Sequence, residues 1–330
     1  TVGNAGPSAT TANFTIDTAA PTVSSFTTTT SSGSYNQAEE IVITANTTES
    51  VQSGNTITVT LDTSDTVLLT AASTGTTLVG TYSVGSGDTS AGLTVNSFAI
   101  GTVADTAGNA MTSTTLPSEG SIFGSKTIII DTAAPTLSEQ TVVSTPSNDT
   151  TPSYIFTTDE AGTITTSISQ DFSTSSSAST GSDQTITFNT LPDGTYSGET
   201  ITVTDTAGNA GSITIPDFVI DTAAPTVNAI ETTAFSWGSV LNATEDNSDG
   251  TVSVTTSGVE DGQTLTITLN GATYTNTVSS NSVTVTISAA GLQALTNGSS
   301  YTLTADVSDT AGNAATQVTS SSFSVETTAP

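Results

Sequence analysis

The sequence predicts an all-β chain, organised as tandem antiparallel β-sandwiches arranged end to end. Three observations lead there. Apolar residues alternate with threonine and serine over short runs, Gly- and Asn-bearing turns separate the runs, and the pattern recurs at domain-sized intervals. Only 34% of the 330 residues are hydrophobic, but the missing share is mostly Thr and Ser. Threonine is β-branched and suits a strand with one wet face, so this is a β-protein composition.

The strands follow in order. "EIVITA" (Glu40–Ala45) and "NTITVTL" (Asn55–Leu61) carry an apolar side chain at every second position. "QTLTITL" (Gln263–Leu269) and "SVTVTI" (Ser282–Ile287) do the same. "YTLTADV" (Tyr301–Val307) places Tyr301, Leu303, Ala305 and Val307 on one face and Thr302, Thr304 and Asp306 on the other. "PDG" (Pro192–Gly194), "SDG" (Ser248–Gly250), "EDG" (Glu260–Gly262) and "TNG" (Thr296–Gly298) are turns. "SAAGLQAL" (Ser288–Leu295) is a helical turn ahead of a penultimate strand, and "TSTTLPSEGSIFGSK" (Thr112–Lys126) is an insertion.

Two markers recur in register. "DTAGNA" stands at Asp105–Ala110, Asp205–Ala210 and Asp309–Ala314, with a truncated copy in "VGNAG" (Val2–Gly6). After each comes "FTIDTAAPTV" (Phe14–Val23), "IIIDTAAPTL" (Ile128–Leu137), "FVIDTAAPTV" (Phe218–Val227) or the variant "FSVETTAP" (Phe323–Pro330). The prolines are spaced by 114, 90 and 105 residues, one small sandwich each. The expected division is 1–20 as the last strand of a preceding domain, then domains at 21–134, 135–224 and 225–330. Proline blocks strand continuation and restricts the residue before it, so each Ala-Pro pair is a stiffened joint.

Composition removes whole classes of function. Thirty acidic residues face a single basic one, Lys126, with no histidine and no cysteine. There is no His base, no Cys nucleophile and no Arg clamp, so the chain reads as non-enzymatic. A net charge of −29 repels nucleic acid. No apolar run reaches the roughly 18–20 residues that cross a bilayer, so no membrane insertion is expected in this segment. The opening in mid-repeat reads as a piece of a longer chain whose export signal and anchor lie elsewhere.

"LPDGTYSGETITVTDTAGNAG…FVIDTAAPTV" (Leu191–Val227) and "LTNGSSYTLTADVSDTAGNAA…FSVETTAP" resemble the bacterial immunoglobulin-like repeats of large cell-surface adhesins and related multi-domain surface proteins. "SGSYNQAEEIVITANTTESV" (Ser32–Val51) is similar to the opening of another variety of the same repeat. The resemblance covers nearly the whole chain. It implies seven-stranded immunoglobulin-like sandwiches serving as stalk modules, often stiffened by calcium near the joints. Tyr196 after "LPDG" and Tyr301 after "LTNG" sit where a tyrosine-corner hydroxyl bonds back to the turn, whereas the first domain has Phe98 at the comparable place.

In that topology the B–C and F–G loops lie at the same end as the start of the first strand, against the tail of the preceding domain. Three sets of candidate metal ligands follow. The first is Asp17, Glu49, Asp105 and Asn109. The second is Asp131, then Asp159 or Glu160, then Asp205 and Asn209. The third is Asp221, then Glu260 or Asp261, then Asp309 and Asn313. Carboxylates without Lys or Arg partners repel one another, and hard oxygen ligands suit Ca²⁺ at about 10⁻⁴–10⁻³ M, as in extracellular modules. Zinc would want His or Cys. Simpler roles stand beside this one. An Asp before a Gly-Asn turn also caps the turn, the Asn also suits left-handed backbone, and the junction acids also act as solubilising charge. Asp159 and Glu160 are strand neighbours pointing to opposite faces, which does not make a glycosidase pair. Glu245, Asp246 and Asp249 read as a solvated loop, and Trp237 as a core or junction filler.

The expected function is a stalk segment of a large secreted adhesin at the cell surface, with Ca²⁺ limiting the swing at each joint. Its partners would be adjacent domains of the same longer chain and, through a domain not present here, a surface ligand. The alternative is a structural subunit of a surface layer or filament, in which the same domains self-associate laterally.

Overall fold

The computed structural model describes residues 3, 6, 8, 10, 12–118 and 123–328. They fall into two compact units, Thr1–Pro135 with Thr204–Gly211, and Thr136–Val203 with Ser212–Pro330. Within these lie three separate apolar cores, built from Val23 to Ile130, Val143 to Ile220 and Val227 to Val325. The expected joints at Pro21, Pro135 and Pro225 fall outside all three cores. "VGNAG" lies mostly outside the described residues.

The alternation seen in the sequence becomes burial. In Leu303–Asp306 and the residue after it, Leu303, Ala305 and Val307 are buried and the intervening residues are partly exposed. Glu40–Val51, Thr56–Leu61, Thr264–Leu269 and Ser282–Ile287 follow the same rule. The helical turn forms as Ala289–Gln293, capped by the Ser288 side chain accepting from the Gly291 amide.

The third core shows the sandwich most plainly. One sheet holds Thr226–Val227, Gly250–Ser257 and Ser282–Ile287; another holds Ala272–Thr277, Thr264–Leu269, Leu303–Asp306 and Val318–Thr319. The final strand, Phe323–Glu326, pairs antiparallel with Ser300–Tyr301 and parallel with Val240–Asn242. The first core repeats that parallel pairing between Gly33–Tyr35 and Ile128–Asp131, and the second reduces it to one parallel bridge, Ser147 to Ile220. An early strand that starts in one sheet and then runs parallel to the last strand of the other is the immunoglobulin arrangement. The chain is all-β, a tandem of immunoglobulin-like sandwiches. Both tyrosine corners form: the Tyr196 hydroxyl donates to the Pro192 carbonyl at 2.9 Å, and the Tyr301 hydroxyl accepts from the Thr296 amide at 2.9 Å.

The first core departs from two separate main sheets. Its strands join into one sheet of six, in the order Val23–Thr27, Glu40–Val51, Gly75–Ser83, Thr66–Thr70, Thr56–Leu61, Val95–Thr102. Gly75–Ser83 pairs along Glu40–Val51 but meets Thr66–Thr70 only at Val79 and Thr70, so it turns the corner between them. Gly80 makes the turn feasible. A Cβ there would collide with the Leu68 carbonyl and lie 2.7 Å from Leu69 Cδ2. Gly80→Ala should therefore destabilise the first core by roughly 1–3 kcal/mol through overpacking, measurable as a lower denaturant midpoint. An unchanged midpoint would show that the corner has slack.

Tyr154 ties burial to pH in the second core. Its ring is fully buried and its hydroxyl donates to Glu139 Oε2 at 3.1 Å. Burial, and then the neighbouring carboxylate, push its pKa from 10.0 up to about 12. The unfolded chain releases this proton first. The contribution of Tyr154 is thus intact below pH 10.0 and disappears as pH climbs to about 12. Tyr154→Phe should flatten the stability of the second core over that window, as followed by circular dichroism at stepped pH.

Candidate metal centre

The recurring turn is the same object three times. Asp105 Oδ1 accepts the Asn109 amide at 2.8 Å and its Oδ2 accepts Asn109 Nδ2 at 2.8 Å. Asp205 does this for Asn209 at 2.9 and 2.8 Å, and Asp309 for Asn313 at 2.8 and 2.9 Å. The left-handed backbone falls on the glycines, with φ of 95° at Gly108 and Gly208 and 94° at Gly312. The asparagines are therefore not present for their φ, contrary to one of the simple readings.

Each asparagine does a second task. Its Nδ2 also donates to the main-chain carbonyl of the junction aspartate: Asn109 to Asp17 at 3.2 Å, Asn209 to Asp131 at 3.0 Å and Asn313 to Asp221 at 2.8 Å. An amide nitrogen has two hydrogens, and both are used. Each junction aspartate meanwhile caps its own Thr-Ala turn: Asp17 Oδ1 accepts the Ala19 amide, Asp131 Oδ1 that of Ala133 and Asp221 Oδ1 that of Ala223. Capping thus accounts for one oxygen of every junction aspartate and for both oxygens of every turn aspartate.

In the first unit something more is assembled. Asp17, Glu49 and Asp105 bring one carboxylate oxygen each to within 4.8 Å of one another. The register explains how. Val23 pairs with Thr47, whose hydroxyl donates to the Glu49 carbonyl at 2.7 Å and fixes the end of the strand. Gln52 Nε2 donates to the Asp105 carbonyl at 2.7 Å and steadies the other side, a residue that no sequence motif marks. Glu49 Oε2 is buried without a hydrogen-bond partner. Burial, then the charges of Asp17 and Asp105, raise the pKa of Glu49. Burial would raise Asp105 as well, but the Asn109 side chain and the amides of Asn109, Gly108 and Ala107 outweigh it and hold its carboxyl below the usual range.

No protein-family model matches the chain, and no curated protein matches it. Solved structures do. A Ca²⁺-stabilised adhesin with which an Antarctic bacterium reaches out and binds ice is 24% identical, over 94% of this chain and 75% of that one, at a TM-score of 0.36. A 1.5-MDa bacterial ice-binding adhesin, described for host cell surface retention, is 21% identical over 90% and 95% at 0.38. A bacterial immunoglobulin-like domain from the ice-binding adhesin of M. primoryensis is 32% identical over 32% of this chain and 97% of that domain, at 0.23. The chain is thus similar to bacterial immunoglobulin-like adhesin domains.

These repeats are not alike at the B–C loop. Val23 and Val227 hold the same place in the Ala-Pro marker as Leu137, and they pair with Thr47, Thr256 and Thr158 respectively. Two residues on stand Glu49, Glu160 and Gly258. Of the two acids considered in the second repeat, Glu160 is thus the counterpart of Glu49. Asp159 instead accepts the Thr136 amide at 2.6 Å, and that bond holds its carboxyl below the usual range. Thr48 takes the same place in the first repeat, accepting the Thr22 amide at 3.0 Å. In the third repeat neither expected acid holds the position. Glu260 Oε2 accepts the Thr310 amide at 3.0 Å, and Asp261 Oδ1 accepts the Ser280 amide at 2.6 Å.

Elsewhere the bland readings hold. Trp237 is a core residue stacked on Phe235, with ring centroids 5.2 Å apart. Glu245 and Asp249 accept the amides of Asn242 and Ala289 and serve as loop caps.

The donor set of the first repeat fits a hard divalent cation. It offers carboxylate oxygens only, one of them buried and unpartnered, and Lys126 is the one basic side chain in the whole sequence.

Proposed function

We propose that this chain is a non-enzymatic extender segment of a large secreted surface adhesin, and that calcium is held by Asp17, Glu49 and Asp105. One observation carries the calcium reading: the buried, partnerless Glu49 Oε2 beside two further carboxylates. An ionised carboxylate is costly to bury without a partner. Bound calcium would supply the missing positive charge, and the chain would supply the frame. Asp105 is pinned by its own turn, Glu49 by the end of its strand, and Asp17 by the Asn109 latch. Asp17 comes from the segment before the first sandwich, so the ion would join tail to sandwich. The extender role rests on the repeat family and on tandem sandwiches that recur with their joints in step.

The test is small-angle scattering of the chain in calcium and then in chelator. A semi-rigid rod that becomes distinctly more flexible, with each sandwich still folded, supports the proposal. Superimposable profiles would remove metal from the joints. Ordered sheets or fibres forming in calcium would favour the surface-layer role instead.

A further inference from the structure

We infer that the joint between the second and third sandwiches is a direct protein lock that needs no cation, so the chain combines a calcium-responsive joint with a calcium-indifferent one. The inference rests on the calcium reading above for its contrast, but not for its own contacts.

The third repeat lacks the ligand. Gly258 stands where the first repeat has Glu49. Its φ of 76° disfavours any side chain, and a Cβ there would lie 3.5 Å from Pro225 Cα, so the joint proline packs into the space. The difference also shows two residues earlier, near the end of the strand. Thr47 and Thr158 donate their hydroxyls to the carbonyls of Glu49 and Glu160 at 2.7 and 3.0 Å, whereas the equivalent Thr256 hydroxyl is buried without a partner. Glu260 spends Oε2 on the Thr310 amide and Asp261 spends Oδ1 on the Ser280 amide, and among the described residues no group of three acids forms here.

Direct bonds hold the joint, and the Asn latch found in the other repeats is one of them. Asn313 Nδ2 donates to the Asp221 carbonyl at 2.8 Å, and the Asn148 amide donates to the Ala311 carbonyl at 3.1 Å. Asn148 also packs its side chain over Gly312, whose Cβ position lies 3.5 Å from Asn148 Nδ2. Asn148 and Asp221 flank the second core, and Ala311 to Asn313 form the turn of the third. Pro225 against Gly258 completes the contact.

The chain has no cysteine, which makes site-specific labelling clean. Spin labels at exposed Ser177→Cys and Thr273→Cys report the distance between the second and third sandwiches. The distribution should be equally narrow in calcium and in chelator, and Asn313→Ala should broaden it in both. In calorimetric titration with calcium alone, Asp221→Asn and Glu260→Gln should leave the number of bound ions unchanged, while Asp17→Asn lowers it by one. Broadening on chelation, or a lost ion in Asp221→Asn or Glu260→Gln, overturns the inference. So does an Asn313→Ala distribution that stays narrow. If the unmutated chain takes up no calcium, the calcium reading fails by itself. The labels still decide the lock, because a narrow distribution that Asn313→Ala broadens upholds it and any other result ends it.

Discussion

In 10 mM calcium the first sandwich is expected to melt well above its temperature in chelator. With a dissociation constant of about 10⁻⁴–10⁻³ M, mass action stabilises the folded state by roughly 1.4–2.7 kcal/mol. For a sandwich of this size that is a shift of roughly 5–15 °C. Glu49→Gln should abolish most of the shift, since it keeps the shape and removes the charge that would meet the ion. The two proteins should also change order. In chelator the variant melts at or above the wild type, because a buried carboxylate with two carboxylate neighbours has been neutralised. In calcium the wild type melts higher. Differential scanning calorimetry in both buffers reads this crossing, and parallel melts for the two proteins would leave Asp17, Glu49 and Asp105 as a turn-capping cluster and nothing more.

Phe323→Ala should be the most damaging single change in the third core. The ring is 1% exposed and meets Phe235, Trp237 and Tyr301 at centroid distances of 5.6, 5.4 and 6.2 Å. Removing it forfeits the transfer of the ring from water and leaves a cavity that the rigid aromatic neighbours cannot fill, a cost of about 3–5 kcal/mol. Trp237 is the chain's one tryptophan and sits in this core, so its fluorescence follows the event directly. The transition of the first core should stay in place, because its apolar cluster shares no residue with the third. A common fall in both transitions would mean that the cores do not unfold separately.

Much of this was legible before any coordinates. The alternation at Tyr301–Val307 specifies which side chains are buried, because side chains in a strand simply alternate. The helical turn after Ser288, the two tyrosine corners and the Gly-Asn turn are local chemistry within a few residues, so the sequence displays them. Three things were not legible. The long strand Gly75–Ser83 closes the first core into one six-stranded sheet, a consequence of how Gly80 lets strands cross. The choice between Asp159 and Glu160 is a one-residue matter, and a one-residue slip in register sends every side chain to the other face. The empty place at Gly258 was hidden because "VEDG" offers two acids nearby.

The sequence by itself determined the repeat, its turns and its excess of unpaired carboxylates, all readable because each depends on neighbours along the chain. Tertiary structure alone decided which acids meet. Asp17, Glu49 and Asp105 are brought together by strand pairing between segments far apart in the chain, and the pairing of Val23 with Thr47 sets where Glu49 arrives. The same pairing, Val227 with Thr256, delivers a glycine to that point in the third repeat. Register is a property of two strands jointly, and no single stretch of residues contains it.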